Sequence, residues 1–134
     1  MSILISLPDF DFSVDVRDWR EVNSPNDKRV ADRCYAALHL IVWKKGGVYL
    51  VYDDKERLIY IGRSLNVKRR LIEHLVGNDP RTREIKNSLY RVAGFYVDDI
   101  ADQEIYEAYA IKTLSPLHNR AKTSKVAGNY SGCH

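Results

Sequence analysis

Apolar residues follow two different rhythms along this chain. Phe10, Phe12, Val14 and Val16 alternate with aspartates, and this period-two pattern predicts an extended arm or edge strand within residues 1–23. The rhythm then changes. Ser24-Pro25-Asn26-Asp27 combines an N-cap serine, a proline at the first helical position and an acid in the first turn. Val30, Cys34, Leu38 and Ile41 follow at helical spacing, so a helix is predicted that ends near Lys44-Lys45-Gly46. Residues 48–52 and 58–61 are rich in Val, Ile and Tyr around a polar turn at 53–57, the pattern of a β-hairpin. Alternation sets Val48 and Leu50 opposite Tyr49, and Ile59 and Ile61 opposite Tyr60. If the aliphatic residues face the core, the two tyrosines share the remaining face.

Asn66 is placed to cap a helix in which Leu71 and Leu75 are anchors, with Arg70 and His74 one turn apart on a neighbouring stripe. Gly77-Asn78-Asp79-Pro80 breaks the chain. A short helix around 81–89 and a strand near 90–97 are predicted next. Asp98 or Asp99 then caps a helix through 101–114 that carries Glu104, Glu107 and Ile111 and stops at Ser115-Pro116. The tail beyond Asn119 offers little to anchor it.

Length narrows the class. A chain of 134 residues with 45% hydrophobic and 29% charged residues suits one globular domain. No run approaches the roughly 18 apolar residues that span a bilayer, and the N-terminus lacks the basic lead of a signal peptide. Two cysteines, Cys34 and Cys133, form neither a disulfide framework nor a zinc pattern, which fits a cytoplasmic protein with free thiols. The net charge is only +3, but it is unevenly spread. Residues 1–34 carry five basic and seven acidic side chains, whereas 44–70 carry eight basic and three acidic. The positive excess coincides with the tyrosine–glycine segments Gly47-Val48-Tyr49 and Tyr60-Ile61-Gly62-Arg63, as a site handling phosphate would require.

Phosphodiester hydrolysis needs a nucleophile in line, positive charge on the phosphoryl oxygens and stabilisation of the leaving oxygen. Arg70 can supply a bidentate clamp. Glu107 could hold one Mg²⁺ through water, because that ion keeps much of its hydration shell; Glu104, one turn away, is a rival. Tyr49, Tyr60 and His74 could bind, orient or deprotonate water. Each residue alone is an ordinary packing or surface residue, and only the joint spacing gives them weight.

With GVY at 47–49, YIG at 60–62, Arg70 ten positions after Tyr60, His74 a turn later, and Glu107 followed by Pro116 and Asn119, the chain resembles the GIY-YIG nuclease family over roughly residues 45–120. The resemblance implies an α+β fold with a central three-stranded antiparallel sheet flanked by helices. It also implies a DNA endonuclease with one divalent cation, Mg²⁺ or Mn²⁺, held by Glu107 rather than Glu104. By the same resemblance Arg70 stabilises the phosphate and Asn119 braces the site. Tyr49 is narrowly favoured as general base over His74, Tyr60 positions water or phosphate, and Arg63 is a candidate cation for activating Tyr49. Arg63, Lys68 and Arg69 are expected to contact nucleic acid.

The expected organisation is an N-terminal arm and helix over 1–44 packed on the core, a nuclease domain over 45–120 and a C-terminal tail over 121–134. DNA is the expected partner and no membrane is involved. A homo-oligomer or a targeting partner stays open. The competing readings are a catalytically silent nucleic-acid-binding module and a nuclease subunit that depends on a partner for targeting.

Overall fold

A computed structural model describes residues 4–16, 38–76, 85 and 88–119 of the chain. Within them lie strands β1 (Phe12–Asp15), β2 (Gly47–Tyr52), β3 (Leu58–Ser64) and β4 (Arg91–Tyr96). Helix α1 (Val67–Val76) follows β3, helix α2 (Ile100–Leu114) follows β4, and a 3₁₀ turn (Leu117–Asn119) comes last. The sheet order is β1-β4-β2-β3 and every neighbouring pair is antiparallel. The fold is α+β, as expected.

The anticipated three-stranded core is present as β4-β2-β3, and the sheet has a fourth strand. The alternating N-terminal segment supplies it by pairing with β4, Phe12 opposite Gly94 and Val14 opposite Val92. Phe12, Val14 and Val16 point into the core while Phe10 remains 48% exposed. The Asp11 carboxylate accepts a hydrogen bond from the Tyr96 N–H at 2.7 Å, which ties the arm down just before the ladder begins. Residues Phe12–Asp15 thus add a strand to the sheet itself.

The hairpin turn is built around Asp53. Its carboxylate accepts from the Lys55 and Arg57 backbone N–H groups, both at 2.9 Å, and from the Arg57 guanidinium at 2.8 Å. Beyond it the register shifts: Val51 faces Tyr60, but Tyr52 faces Leu58. Ile59 is therefore the extra residue of a β-bulge. The bulge explains why Ile59 joins the apolar cluster of Tyr49 and Val51 instead of standing opposite Tyr60 as strict alternation requires.

The aliphatic residues do not mark a single core face. Tyr49, Val51, Ile59 and Val92 pack with Leu71 and Leu75 of α1 on one side. Val48, Leu50, Ile61 and Phe95 pack with Ala110 and Ile111 of α2 on the other. With both faces covered, the tyrosine face lies inside the protein, and Tyr49 is only 1% exposed.

Both helices start and stop where the sequence indicates. The Asn66 side chain accepts from the Arg69 N–H at 3.3 Å, and Asp99 accepts from the Asp102 N–H at 3.1 Å. Ser115 closes α2 in a left-handed conformation with φ 50°, its N–H bonded to the Ile111 carbonyl. The helix predicted to run to Lys44-Lys45-Gly46 does not extend over residues 38–46. Most of that prediction, like the short helix around 81–89 and the tail beyond Asn119, lies outside the described residues. Residues 38–46, however, form turns rather than a last helical stretch. Lys44 is left-handed with φ 65°, its N–H reaches the Asn66 side chain, and the Lys45 carbonyl accepts from the Val67 N–H. The capping of α1 thus draws this backbone out of helical geometry. Among the described residues no helix is long and apolar enough to cross a membrane.

Candidate active site

The two tyrosine–glycine segments come together because β2 and β3 pair with Tyr49 opposite Gly62 and Val51 opposite Tyr60. A Cβ at position 62 would lie 2.5 Å from the Tyr49 hydroxyl and 2.9 Å from the Tyr60 ring. Only glycine lets the Tyr49 phenol lie across β3 at this point. That steric demand explains why YIG stands opposite GVY.

Helix α1 completes the cluster. His74 is fully buried, and its Nε2 lies 2.8 Å from the Tyr49 hydroxyl. Tyr49, Tyr60 and His74 form a triangle of rings, with centroids 6.2 Å apart for the two tyrosines and 5.6 and 5.7 Å from each to the imidazole. Arg70, one turn earlier, hydrogen-bonds the Tyr49 side chain. Its Nη1 also donates to Glu73 at 3.0 Å, which fixes the guanidinium from behind.

Burial pushes the Tyr49 hydroxyl well above the ordinary tyrosine range. Tyr60 adds to this, the charge and hydrogen bond of Arg70 oppose it, and Glu107 raises it further. The phenol is therefore held protonated. The 2.8 Å separation of its oxygen from His74 Nε2 is short enough for a proton to be shared between the two side chains. The cation whose charge and hydrogen bond act on Tyr49 is Arg70.

Glu107 and Glu104 have different surroundings. The Glu107 side chain is 12% exposed and close enough to influence Tyr49, whereas that of Glu104 is 60% exposed. Arg63 bridges them, with Nη2 at 3.2 Å from Glu104 and Nε at 3.8 Å from Glu107. Among the described residues no group of three or more His, Cys, Asp or Glu side chains could encage a metal ion. A single inward carboxylate suits Mg²⁺, which needs few protein ligands and keeps several waters. The donor set therefore fits one such cation at Glu107.

Asn119 faces the other side of the same strand segment. Its side-chain oxygen accepts from the Ile61 N–H at 2.8 Å and its amide donates to the Ile61 carbonyl at 3.1 Å. Asn119 thereby takes the place of a neighbouring strand along the outer edge of β3. The three residues expected at nucleic acid have different neighbours. Arg63 lies at the carboxylates, Lys68 sits over the Trp43 ring at 5.7 Å, and Arg69 is exposed beside Glu73.

Sequence reasoning missed Glu73 as the anchor of Arg70, although its i, i+3 spacing was visible. It also gave Glu104 no role beyond that of a rival ligand. What was missing was the side on which Arg63 approaches α2, which only the packed helix reveals.

A buried tyrosine–histidine pair, an arginine held by Glu73 and a largely buried glutamate thus lie together on this α+β fold. A family model described as the UvrC-like GIY-YIG domain matches residues 45–120, and the chain belongs to that family. The protein YurQ of Bacillus subtilis (strain 168) is 27% identical over 81 residues, 60% of this chain and 65% of YurQ. The UvrABC system protein C of Wolbachia sp. subsp. Drosophila simulans (strain wRi) is 32% identical over 75 residues, 54% of this chain but only 12% of that protein. The chain thus corresponds to a small part of the UvrC relatives. Among solved structures, the GIY-YIG N-terminal endonuclease domain of UvrC from Thermotoga maritima, bound to its catalytic magnesium, superposes with a TM-score of 0.54. It shares 20% identity and covers 69% of this chain and 98% of that one, a likeness of fold.

Proposed function

We propose that this protein is a Mg²⁺-dependent DNA endonuclease that hydrolyses phosphodiester bonds at a single-metal site. The observation that carries the reading is the Tyr49 hydroxyl lying between His74 and Arg70 with Glu107 within electrostatic reach. Membership of the UvrC-like family supports nuclease chemistry. DNA as substrate is supported by the UvrABC relatives and by the basic excess over residues 44–70.

Glu107 would hold the cation. When bound, the metal supplies positive charge to the phosphoryl and leaving oxygens. Arg70 neutralises a second phosphoryl oxygen, its guanidinium already oriented by Glu73. Tyr49 takes a proton from the attacking water as its own proton passes to His74. Because the phenol is held protonated, direct action as a phenolate is costly, and the relay to His74 avoids that cost. Tyr60, whose ring packs against Tyr49 and His74, orients the water or phosphate. Asn119 keeps β3 in register beneath these groups.

The test is incubation of purified protein with supercoiled plasmid, branched DNA and RNA, each with Mg²⁺ or EDTA. Nicking or linearisation of DNA that EDTA abolishes is the expected outcome. Binding without cleavage under every metal condition would instead support the silent binding module.

A further inference from the structure

We propose that Glu104 is a positioning residue whose task is to hold Arg63 off the Glu107 carboxylate, so that a divalent cation can occupy it. The inference rests on Glu107 being the metal ligand. It concerns two residues to which that reading assigns no part in metal binding.

Arg63 follows Gly62 on β3 and lies across from Val48. Its guanidinium reaches α2, where Glu104 and Glu107 stand three positions apart on one side of the helix. The contacts are unequal. Nη2 donates a hydrogen bond to Glu104 Oε2 at 3.2 Å, while Nε stops 3.8 Å from Glu107 Oε1, beyond hydrogen-bonding distance. Arg63 is thus tethered by the outer, exposed carboxylate and only approaches the inner, buried one.

A planar guanidinium with several donors is well suited to bridge two carboxylates. It is also the strongest local competitor for either of them. A cation on Glu107 and a guanidinium bonded to the same carboxylate repel each other and contend for the same oxygen lone pairs. Glu104 resolves the contest by giving Arg63 a partner that metal binding leaves untouched. Without Glu104, Arg63 is left beside the Glu107 carboxylate and must be displaced from it before metal can bind. With Arg63 also removed, that competition ends, and Glu104 loses its influence.

A double-mutant cycle on metal affinity tests this. Mn²⁺ binding to the full chain is measured by electron paramagnetic resonance of the free ion for the parent, E104Q, R63Q and E104Q/R63Q, with E107Q as the site control. E104Q should weaken Mn²⁺ binding about threefold in the parent, the scale of a partly exposed ion pair. In the R63Q background the same substitution should change it by less than about 1.5-fold. Equal weakening in both backgrounds would make Glu104 a mere nearby negative charge and overturn the proposal, as would no effect in the parent. E107Q should abolish Mn²⁺ binding. If E107Q binds as the parent does, the metal-site reading itself fails; if E107Q loses binding while the cycle shows no coupling, only the role of Glu104 fails.

Discussion

The Tyr49 hydroxyl lies 2.8 Å from His74 Nε2 in the buried interior, with Arg70 hydrogen-bonded to the same phenol. This link makes one unit of two residues that stand 25 positions apart in the chain. Because burial, Tyr60 and Glu107 together hold the phenol protonated, its folded-state pKa lies above the unfolded value. The native state therefore keeps this proton more tightly, and the stability so gained is complete below about pH 10 and is lost as pH rises through the folded value. The wild type should lose stability above about pH 10 more steeply than Tyr49→Phe, read as the urea midpoint against pH. Identical slopes would mean that Tyr49 is not held in this way.

Gly62 leaves the room that the Tyr49 hydroxyl occupies. A methyl group there must displace the phenol or the strand, so Gly62→Ala should separate Tyr49 from His74. Cleavage should fall by about 100-fold or more, the low end of what a misplaced general base costs, while circular dichroism still reports an α+β fold. Undiminished cleavage would remove Tyr49 from the mechanism.

Asn119 replaces a missing strand at the outer edge of β3 by bonding both polar groups of Ile61. Asn119→Ala leaves a buried N–H and carbonyl unsatisfied and should cost about 1–3 kcal/mol in urea denaturation. A loss of activity that tracks this loss of stability fits a brace. Lost activity with unchanged stability would instead place Asn119 in direct contact with substrate.

Much of this arrangement is legible in the sequence where a single residue type has one local use. Asn66, Asp99 and Ser115 mark helix ends by their own hydrogen bonds, and they stand where expected. The pairing of Tyr49 and Tyr60 on one face also follows from alternation. What alternation cannot reveal is that α1 covers that face, because burial on both sides of a sheet depends on distant residues such as Leu71 and Leu75. The Ile59 bulge escaped for a related reason: an extra residue leaves the composition of a strand unchanged. The absence of helix over residues 38–46 goes with Asn66, twenty-two positions beyond Lys44, taking the Lys44 N–H, a contact that local spacing does not reveal. Arg70 and Glu107 were singled out through the family resemblance, but only the packed helices show that Glu73 bonds one and that Arg63 approaches the other.

Arg70 is held by Glu73 on one side and bonded to Tyr49 on the other. Arg70→Ala should lower cleavage at least about tenfold, or about 1.4 kcal/mol of transition-state stabilisation. Arg70→Lys should recover little of it, since an ammonium cannot bond Tyr49 and a phosphoryl oxygen in a fixed fork. Full recovery by lysine would reduce the role of Arg70 to a simple positive charge.

The most direct measurement is plasmid cleavage by Glu107→Gln in Mg²⁺, alongside DNA binding and thermal unfolding of the same preparation. Glutamine keeps the size of the side chain and removes its charge. The variant should fold and bind DNA as the parent does and yet leave supercoiled plasmid intact. Cleavage at the parental rate by a folded Glu107→Gln would contradict the single-carboxylate metal site on which this mechanism depends.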